Sequence, residues 1–389
     1  MGTTKKRRPA LDERTRLTVW VAAGGRCTFC NRIVLENDDI GELVPIGELA
    51  HSVGWDTRSP RGQSDLTEAE RSASENLVLL CGTCHKPVDD QGVVSRYTVD
   101  ILGRMKREHE ARIRTLTGIG GDRCALVVRV VGPIRGASPE LTYETVLEAT
   151  TAAGYFPQLL PSQHRSAVEL DLRELGEGSP EISRICAQRI DDLAQRIRGA
   201  VLRDDVHRLA VFGYARIPLL VHLGARLDDK VGAAIFQRQR RDDRNAWAWP
   251  VAAGAAPDFT WRILEGGPDQ RGPLLILNVS GTIPLEDVPT DLAQRGPIYV
   301  VEPVAPRTPG PTLIDSPEAL AALERALRAL FAAIEASHGR LDAIPVFGAI
   351  PVSAAITLGR VLMPQVTPVL HIYDRGSDGT FFLALEVSK

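Results

Sequence analysis

The thirty residues from Val211, VFGYARIPLLVHLGARLDDKVGAAIFQRQR, align without a gap to VFGAIPVSAAITLGRVLMPQVTPVLHIYDR from Val346. The offset is 135 residues throughout: Val211/Val346, Phe212/Phe347, Gly213/Gly348, Leu223/Leu358, Gly224/Gly359, Leu227/Leu362, Val231/Val366 and Arg240/Arg375 coincide. In each copy an apolar strand ends at Phe-Gly, a loop carrying Pro opens a helix, the helix stops at Leu-Gly, and another strand follows. Each copy therefore has the pattern of a βαβ unit. A duplicated βαβ unit leaves few folds open. It predicts a domain of two related halves whose loops and helix N-termini gather at the carboxyl ends of the strands, a place suited to anionic ligands.

The surrounding sequence agrees with that class. Short Val/Ile/Leu-rich runs at 124–131, 207–213, 231–236, 273–280 and 297–303 alternate with helical stretches at 179–202 and 315–337, which is an α/β pattern. Ahead of them, the Gly-rich segment TLTGIGGDR follows an amphipathic helical segment, DILGRMKREHEARIRTL, and marks a boundary. The expected organisation is a first domain over 1–116, a linker over 117–122 and a second domain over 123–389. Residues 1–115 carry 18 Lys/Arg and 17 Asp/Glu, and the remainder 28 and 32, so any nucleic-acid surface has to be a local patch. The basic residues of the helical segment are a solvated face or, as a second reading, a face toward DNA. No apolar run is long enough to span a membrane, and the start MGTTKKRRPALDER has no apolar stretch behind its basic residues. A cytoplasmic, membrane-free protein is expected.

In such a compartment the six cysteines need an explanation other than oxidation. Cys27/Cys30 and Cys81/Cys84 form two CxxC pairs fifty residues apart, the spacing of a structural zinc site, because each short turn offers two thiolates and two turns complete a tetrahedron. Unconnected thiols or a redox pair are the alternative reading, and Cys124 and Cys186 are expected to be buried thiols. Between and beside the knuckles lie His51 in ELAH, Asn76 in SENLVLLC and His85 in CGTCHKPVDD.

The order His, Asn, His with GRCTFC, ELAH, SENLVLLC and CGTCHKPVDD resembles the HNH nucleases of the ββα-metal type, over about residues 15–110. That resemblance implies a metal-dependent DNA endonuclease. A neutral imidazole at His51 suits the general base that takes a proton from water, and Asn76 would fix the loop or the orientation of the histidine. His85 would bind a divalent cation, Mg²⁺ or another, with Asp89 four residues on, if HKPVDD is the first turn of a helix with Pro87 near its start. Arg61 in SPRG would pair with a phosphate. Many relatives carry a further ligand directly before the base. This chain has Ala50 there, so the ion is held by His85, Asp89, water and substrate, or Glu48 reaches in. Two plainer readings stay open: His51 as a satisfied core histidine and His85 as a spare zinc ligand.

The repeat, with LAVFGYARIPLLVHLGARLDDKVGAAIFQRQRRDDRNAWAWP, resembles the SAVED domain, two fused CARF-like Rossmann-type halves. The whole chain is similar to the HNH-SAVED effector nucleases of bacterial cyclic-oligonucleotide-based anti-phage signalling (CBASS). The resemblance implies a cyclic dinucleotide activator of the cGAMP type, assembly into a homo-oligomer, a tetramer, when activated, and cutting of double-stranded DNA. Phosphates would sit near Gly213 or Gly348 and the Pro218 helix start, aided by Arg216, Arg238 or Arg240. Bases would stack on Trp247 or Trp249, unless those rings are core. A restriction-type HNH nuclease whose second domain recognises DNA and a non-catalytic, ligand-sensing DNA-binding regulator are the competing functions.

Overall fold

The computed structural model describes residues 10–35, 45–90, 92–137, 141–158, 168–203, 205–227, 231–240, 245–250, 254–267 and 272–389. The chain divides into two compact units, Met1–Ile119 and Gly120–Lys389. No described helix is long and apolar enough to cross a membrane.

The first unit contains α1 (Glu13–Ala22), β1 (Gly47–His51), α2 (Glu68–Ser72), β2 (Leu77–Cys81), α3 (Gly82–Asp89) and α4 (Val99–Thr117). Its sheet has two antiparallel strands, with Glu48 opposite Leu80 and His51 opposite Leu77. β2, LVLLC, is buried along its whole length because Val19 and Ala23 of the α1 end, Val88 of α3 and Leu102 of α4 close over it in one apolar cluster. Side-chain caps fix where the helices begin: Asp12 accepts from Thr15 N at 2.9 Å, and Thr98 accepts from Ile101 N at 3.3 Å. α3 begins earlier than the sequence suggests. Cys81 is its N-cap, so the second cysteine knuckle forms the first turn and Pro87 falls near the end of the helix. α4 also departs from its apolar pattern, since Lys106 is buried in an ion pair with Glu110 while Leu116 is exposed.

The second unit has two mixed α/β layers built on Rossmann-like parallel sheets. The first half contains β3 (Cys124–Val131), α5 (Tyr143–Ala152), β4 (Phe156–Gln158), β5 (Glu169–Asp171), α6 (Pro180–Leu202), β6 (Arg208–Tyr214), α7 (Ile217–Arg226) and β7 (Gly232–Phe236). Its strands run in the order β4-β3-β6-β7, all parallel, with β5 on β3. The second half contains β8 (Phe259–Leu264), β9 (Leu274–Asn278), α8 (Thr290–Ala293), β10 (Ile298–Pro303), α9 (Pro317–His338), β11 (Ala343–Ala349), α10 (Val352–Arg360), β12 (Val369–Arg375) and β13 (Phe381–Val387). Here the order is β13-β12-β11-β9-β10-β8, parallel in the middle and antiparallel at both edges. Apolar residues of both halves, from Ala125 to Val387, form one continuous core.

The repeat is real and reciprocal. α7 of the first copy packs on β12 and β13 of the second, and α10 of the second packs on β6 and β7 of the first. Residues Pro218–Ala225 and Val352–Gly359 are therefore buried all round, which is what a helix with no polar face requires. Gly224 and Gly359 lie inside these helices and do not end them. A Cβ on Gly224 would stand 2.0 Å from Ile356 O and one on Gly359 1.9 Å from Val221 O, so two equivalent glycines let the helix backbones cross in contact. The gap-free alignment also fails at the second strand. Val211 pairs with Ile235 in one copy, while its equivalent Val346 pairs with Ile372 in the other. The offset is thus 135 through the first strand and helix but 137 in the strand after them. The ring stacks agree: Phe212 lies on Phe236 at 4.2 Å and Phe347 on Tyr373 at 4.7 Å.

Candidate functional site

Two places concentrate chemistry. In the first unit the four sulfurs of Cys27, Cys30, Cys81 and Cys84 lie within 4.8 Å of one another, and Cys30 Sγ is 3.8 Å from Cys81 Sγ. The edge of a tetrahedron with metal–sulfur bonds of about 2.3 Å is about 3.8 Å, so the donors fit zinc in type, number and spacing. Burial and the neighbouring sulfurs push the Cys84 thiol up. Burial also raises Cys27, but backbone N–H groups of Cys30, Cys81 and Phe29 outweigh it and bring that thiol below its usual range. Cys124 and Cys186 stand apart as free thiols, Cys124 half-buried and Cys186 buried.

Beside the quartet, β1, β2 and α3 form a ββα unit that carries the three polar residues of the His, Asn, His pattern. His51 ends β1 and is only 9% exposed. Asn76 is buried and holds the loop that follows His51: its Oδ1 accepts from Val53 N at 2.8 Å, and its Nδ2 donates to Val53 O and Arg71 O, each at 2.9 Å. His85 meets two carboxylates, Glu48 at Nδ1 and Asp89 Oδ2 at 3.4 Å from Nε2. Asp89, first, and then Glu48 raise the His85 pKa against burial; His85 and Arg61 lower that of Asp89. Among the described residues, the cysteine quartet is the only set of three or more such side chains whose ligand atoms all lie within 4.8 Å of one another, so Glu48, His85 and Asp89 are not gathered about one point.

Arg61 has a different task from the one its loop suggests. Its side chain is 7% exposed, and the guanidinium donates to Ser52 O (2.8 Å), Val88 O (2.7 Å), His51 O (3.2 Å) and Asp89 Oδ1 (2.8 Å). With that donor set engaged, it ties the end of β1 to the end of α3 and has no fork to offer a phosphate. Arg71, which the sequence reading passed over, is also buried. It donates to the carbonyls of Leu66, Gly54, Gly62 and Ser64 and so fixes the whole loop between the strands. An arginine in RSASEN gives no sequence signal that it points inward.

The second place is a cavity of about 620 Å³ at the carboxyl ends of the parallel strands, between the two halves. This volume is in the range of small-ligand sites. Arg135, Arg216, Arg238, Arg240 and Arg375 line it, with Tyr214, Tyr373, Phe381, Ser280, Thr282 and Asp374. With the offset of 137, Arg238 and Arg375 are equivalent residues of the two copies, and so are Gln237 and Asp374. Each of the latter reaches across to the other copy's helix start: Gln237 Oε1 accepts from Ser353 Oγ at 2.7 Å, and Asp374 Oδ2 accepts from Arg216 Nε at 2.8 Å. Burial raises the Asp374 carboxyl even though Arg216 is beside it. Arg216 also bonds Glu177 at 3.2 Å and Arg375 O at 2.5 Å, and Arg375 pairs with Asp287 and lies 4.4 Å over the Phe381 ring. Among the described residues Arg238 and Arg240 have no carboxylate partner. The mouth therefore keeps cationic capacity for an anion.

The expected ligand residues divide. Arg216, Arg238, Arg240 and Gly348 line the cavity; Gly213, Pro218, Trp247 and Trp249 do not. A Cβ on Gly213 would meet Ile356 and Leu220 at 2.8 Å, so that glycine serves strand–helix packing. Pro218 is a buried first-turn residue of α7. Trp247 is 1% exposed and packs edge-on against Phe212 at 5.7 Å, while Trp249 stacks on Phe236 at 6.4 Å. Trp247 is core and Trp249 is half-buried against that core, and the aromatic surface of the cavity comes from Tyr214, Tyr373 and Phe381. The extended repeat alignment already held the clue, for it ended on Tyr373-Asp374-Arg375.

Comparison with known proteins places the cavity-bearing unit. The family model described as SAVED, "SMODS-associated and fused to various effectors sensor domain", matches residues 190–387. No curated protein matches the chain. Among solved structures, the Acinetobacter baumannii Cap4 SAVED/CARF-domain containing receptor with the cyclic trinucleotide 3'3'3'-cAAA is 12% identical, with 76% of this chain and 60% of that one covered and a TM-score of 0.42. The Moraxella osloensis Cap4 SAVED/CARF-domain containing receptor is 14% identical, covers 77% and 63%, and has a TM-score of 0.39. This chain thus spans about 60% of the length of those receptors.

Proposed function

The chain belongs to the SAVED family of sensor domains, and from that premise we propose that it is a cyclic-oligonucleotide-activated DNA endonuclease of anti-phage signalling. The observation that carries the sensor half is the cavity itself, built by equivalent positions of two repeats, rich in arginine and flanked by three aromatic rings. Arginines take phosphates and rings take bases, the two parts a cyclic nucleotide offers. A cyclic dinucleotide of the cGAMP type matches the two-copy construction, with Arg238 and Arg375 at equivalent positions for two phosphates.

The effector half of this proposal is the ββα unit with its zinc knuckles, an HNH-type nuclease acting on double-stranded DNA. Cys27, Cys30, Cys81 and Cys84 would hold zinc as a structural staple, and His85 and Asp89 would hold the catalytic divalent ion. When bound, that ion would neutralise charge developing on the phosphate. His51 would take a proton from the attacking water, Asn76 keeps the loop after His51 in place, and Arg61 sets the spacing of the His51 strand end to α3. At 9% exposure, His51 has to be uncovered before a phosphate reaches it. Activation supplies a reason for that cover: ligand and assembly into a homo-oligomer, a tetramer in this reading, favour the open form through differential affinity.

The same burial is the observation that favours a second reading, in which the first unit holds DNA without cutting it. Plasmid incubated with Mg²⁺ and each of a panel of cyclic di- and trinucleotides tests both. The proposed function predicts cutting only with one activator, and a loss of about 10²–10⁴-fold in rate for His51→Ala with activator binding unchanged. Cutting without any nucleotide, or unchanged function in His51→Ala, overturns it.

A further inference from the structure

Glu48 lies on β1 opposite Leu80, and the two-residue period of a strand puts it on the face shared by Ala50. Ala50 itself offers no donor. Glu48 instead meets the Nδ1 side of the His85 ring, while the opposite ring nitrogen, Nε2, lies 3.4 Å from Asp89 Oδ2. The remaining Asp89 oxygen is held by Arg61 Nη2 at 2.8 Å. Two neighbouring ligands on an octahedral cation with bonds of about 2.1 Å stand about 3.0 Å apart. Nε2 and Oδ2 need close only by about 0.4 Å to share an ion. Nδ1 faces away from that point, so Glu48 cannot keep its contact and also ligate there. An imidazole that binds a metal through one nitrogen is oriented, and made more basic, by a carboxylate on the other.

Resting on the nuclease reading above, we propose that Glu48 is the outer carboxylate of this cation site: a positioning residue that fixes the His85 ring with Nδ1–H toward itself and Nε2 toward the ion. His85 and Asp89 are then the inner protein ligands, and water fills the position that Ala50 leaves. The arrangement offers few protein ligands and suits a hard cation that keeps several waters.

The test uses the full chain with its cysteine site filled by zinc and then titrated with Mn²⁺, followed by electron paramagnetic resonance. Wild type takes up one Mn²⁺, Asp89→Asn loses that site, and Glu48→Gln binds Mn²⁺ about 10–100-fold more weakly at unchanged zinc content. Nitrogen chemical shifts of the His85 ring in wild type, read above the pH at which it is neutral, show Nδ1 protonated. Equal Mn²⁺ affinity in Glu48→Gln, or an Nε2–H tautomer in wild type, overturns the role of Glu48 and leaves the nuclease reading standing. Wild type that takes up no Mn²⁺ once zinc is bound overturns both.

Discussion

The two units are held together by different physics. In the first, twelve buried apolar residues among those described, five of them from β2 itself, form the cluster, and the long connection from β1 to β2 is tied by the polar side chains of Arg61, Arg71 and Asn76, each bonded to backbone carbonyls. In the second, one apolar core runs through both halves and the two central helices are buried on every side. The difference teaches where each unit is vulnerable. A small domain without enough core depends on staples, whereas a large core depends on close packing.

The largest effect is expected at the cysteines. If zinc binding is folding energy in the first unit, on the order of 10 kcal/mol, Cys81→Ser removes amide-exchange protection from that unit and leaves the second unit's protection intact. Uniform loss across both units would break the comparison. Arg71→Met comes next. Four carbonyls lose their donor, and the first unit's thermal transition should fall by an equivalent of about 4 kcal/mol. In the second unit Gly224→Ala places a Cβ against the Ile356 carbonyl at 2.0 Å. About 3 kcal/mol should be lost from that unit's urea unfolding, with the first unit unaffected.

The smallest expected effect is electrostatic. Burial holds the His222 imidazole below the usual histidine range despite Asp191 at 2.8 Å. The unfolded chain therefore binds that proton more readily than the folded one. Stability from the neutral ring is complete above about pH 6.5 and is lost as pH falls through the lower, folded value. Urea midpoints from pH 7.5 to 5 should drop more steeply for wild type than for His222→Gln, by on the order of 1 kcal/mol. Parallel curves would assign the acid sensitivity elsewhere.

The same division explains what was legible. CxxC spacing and the i, i+4 relation of His85 to Asp89 are local, so their neighbourhood could be read from the chain. The alternating pattern and the duplicated Phe-Gly strand ends likewise announced the α/β class. Arg61 and Arg71 look like surface residues in polar loops, because the carbonyls that capture them come from segments distant in sequence. For Trp247 and Trp249 the chain alone leaves stacking on a ligand and core packing both open. Tertiary packing decides it by burying Trp247 and laying Trp249 against the core of the first half, away from the cavity. The two-residue shift after the repeated helices left no mark in a gap-free match, and it changes which arginine is equivalent to Arg375 from Arg240 to Arg238.

By itself the sequence determined that two knuckles supply four thiols and that two βαβ units share one ancestry of pattern, since periodicity and short-range spacing are properties of the chain. Tertiary structure alone decided that Gly224 and Gly359 cross, that Gln237 and Asp374 reach into the opposite copy, and that a cavity forms there. Those outcomes depend on which faces meet, and meeting is set by burial of distant apolar surface, which no local window of residues contains.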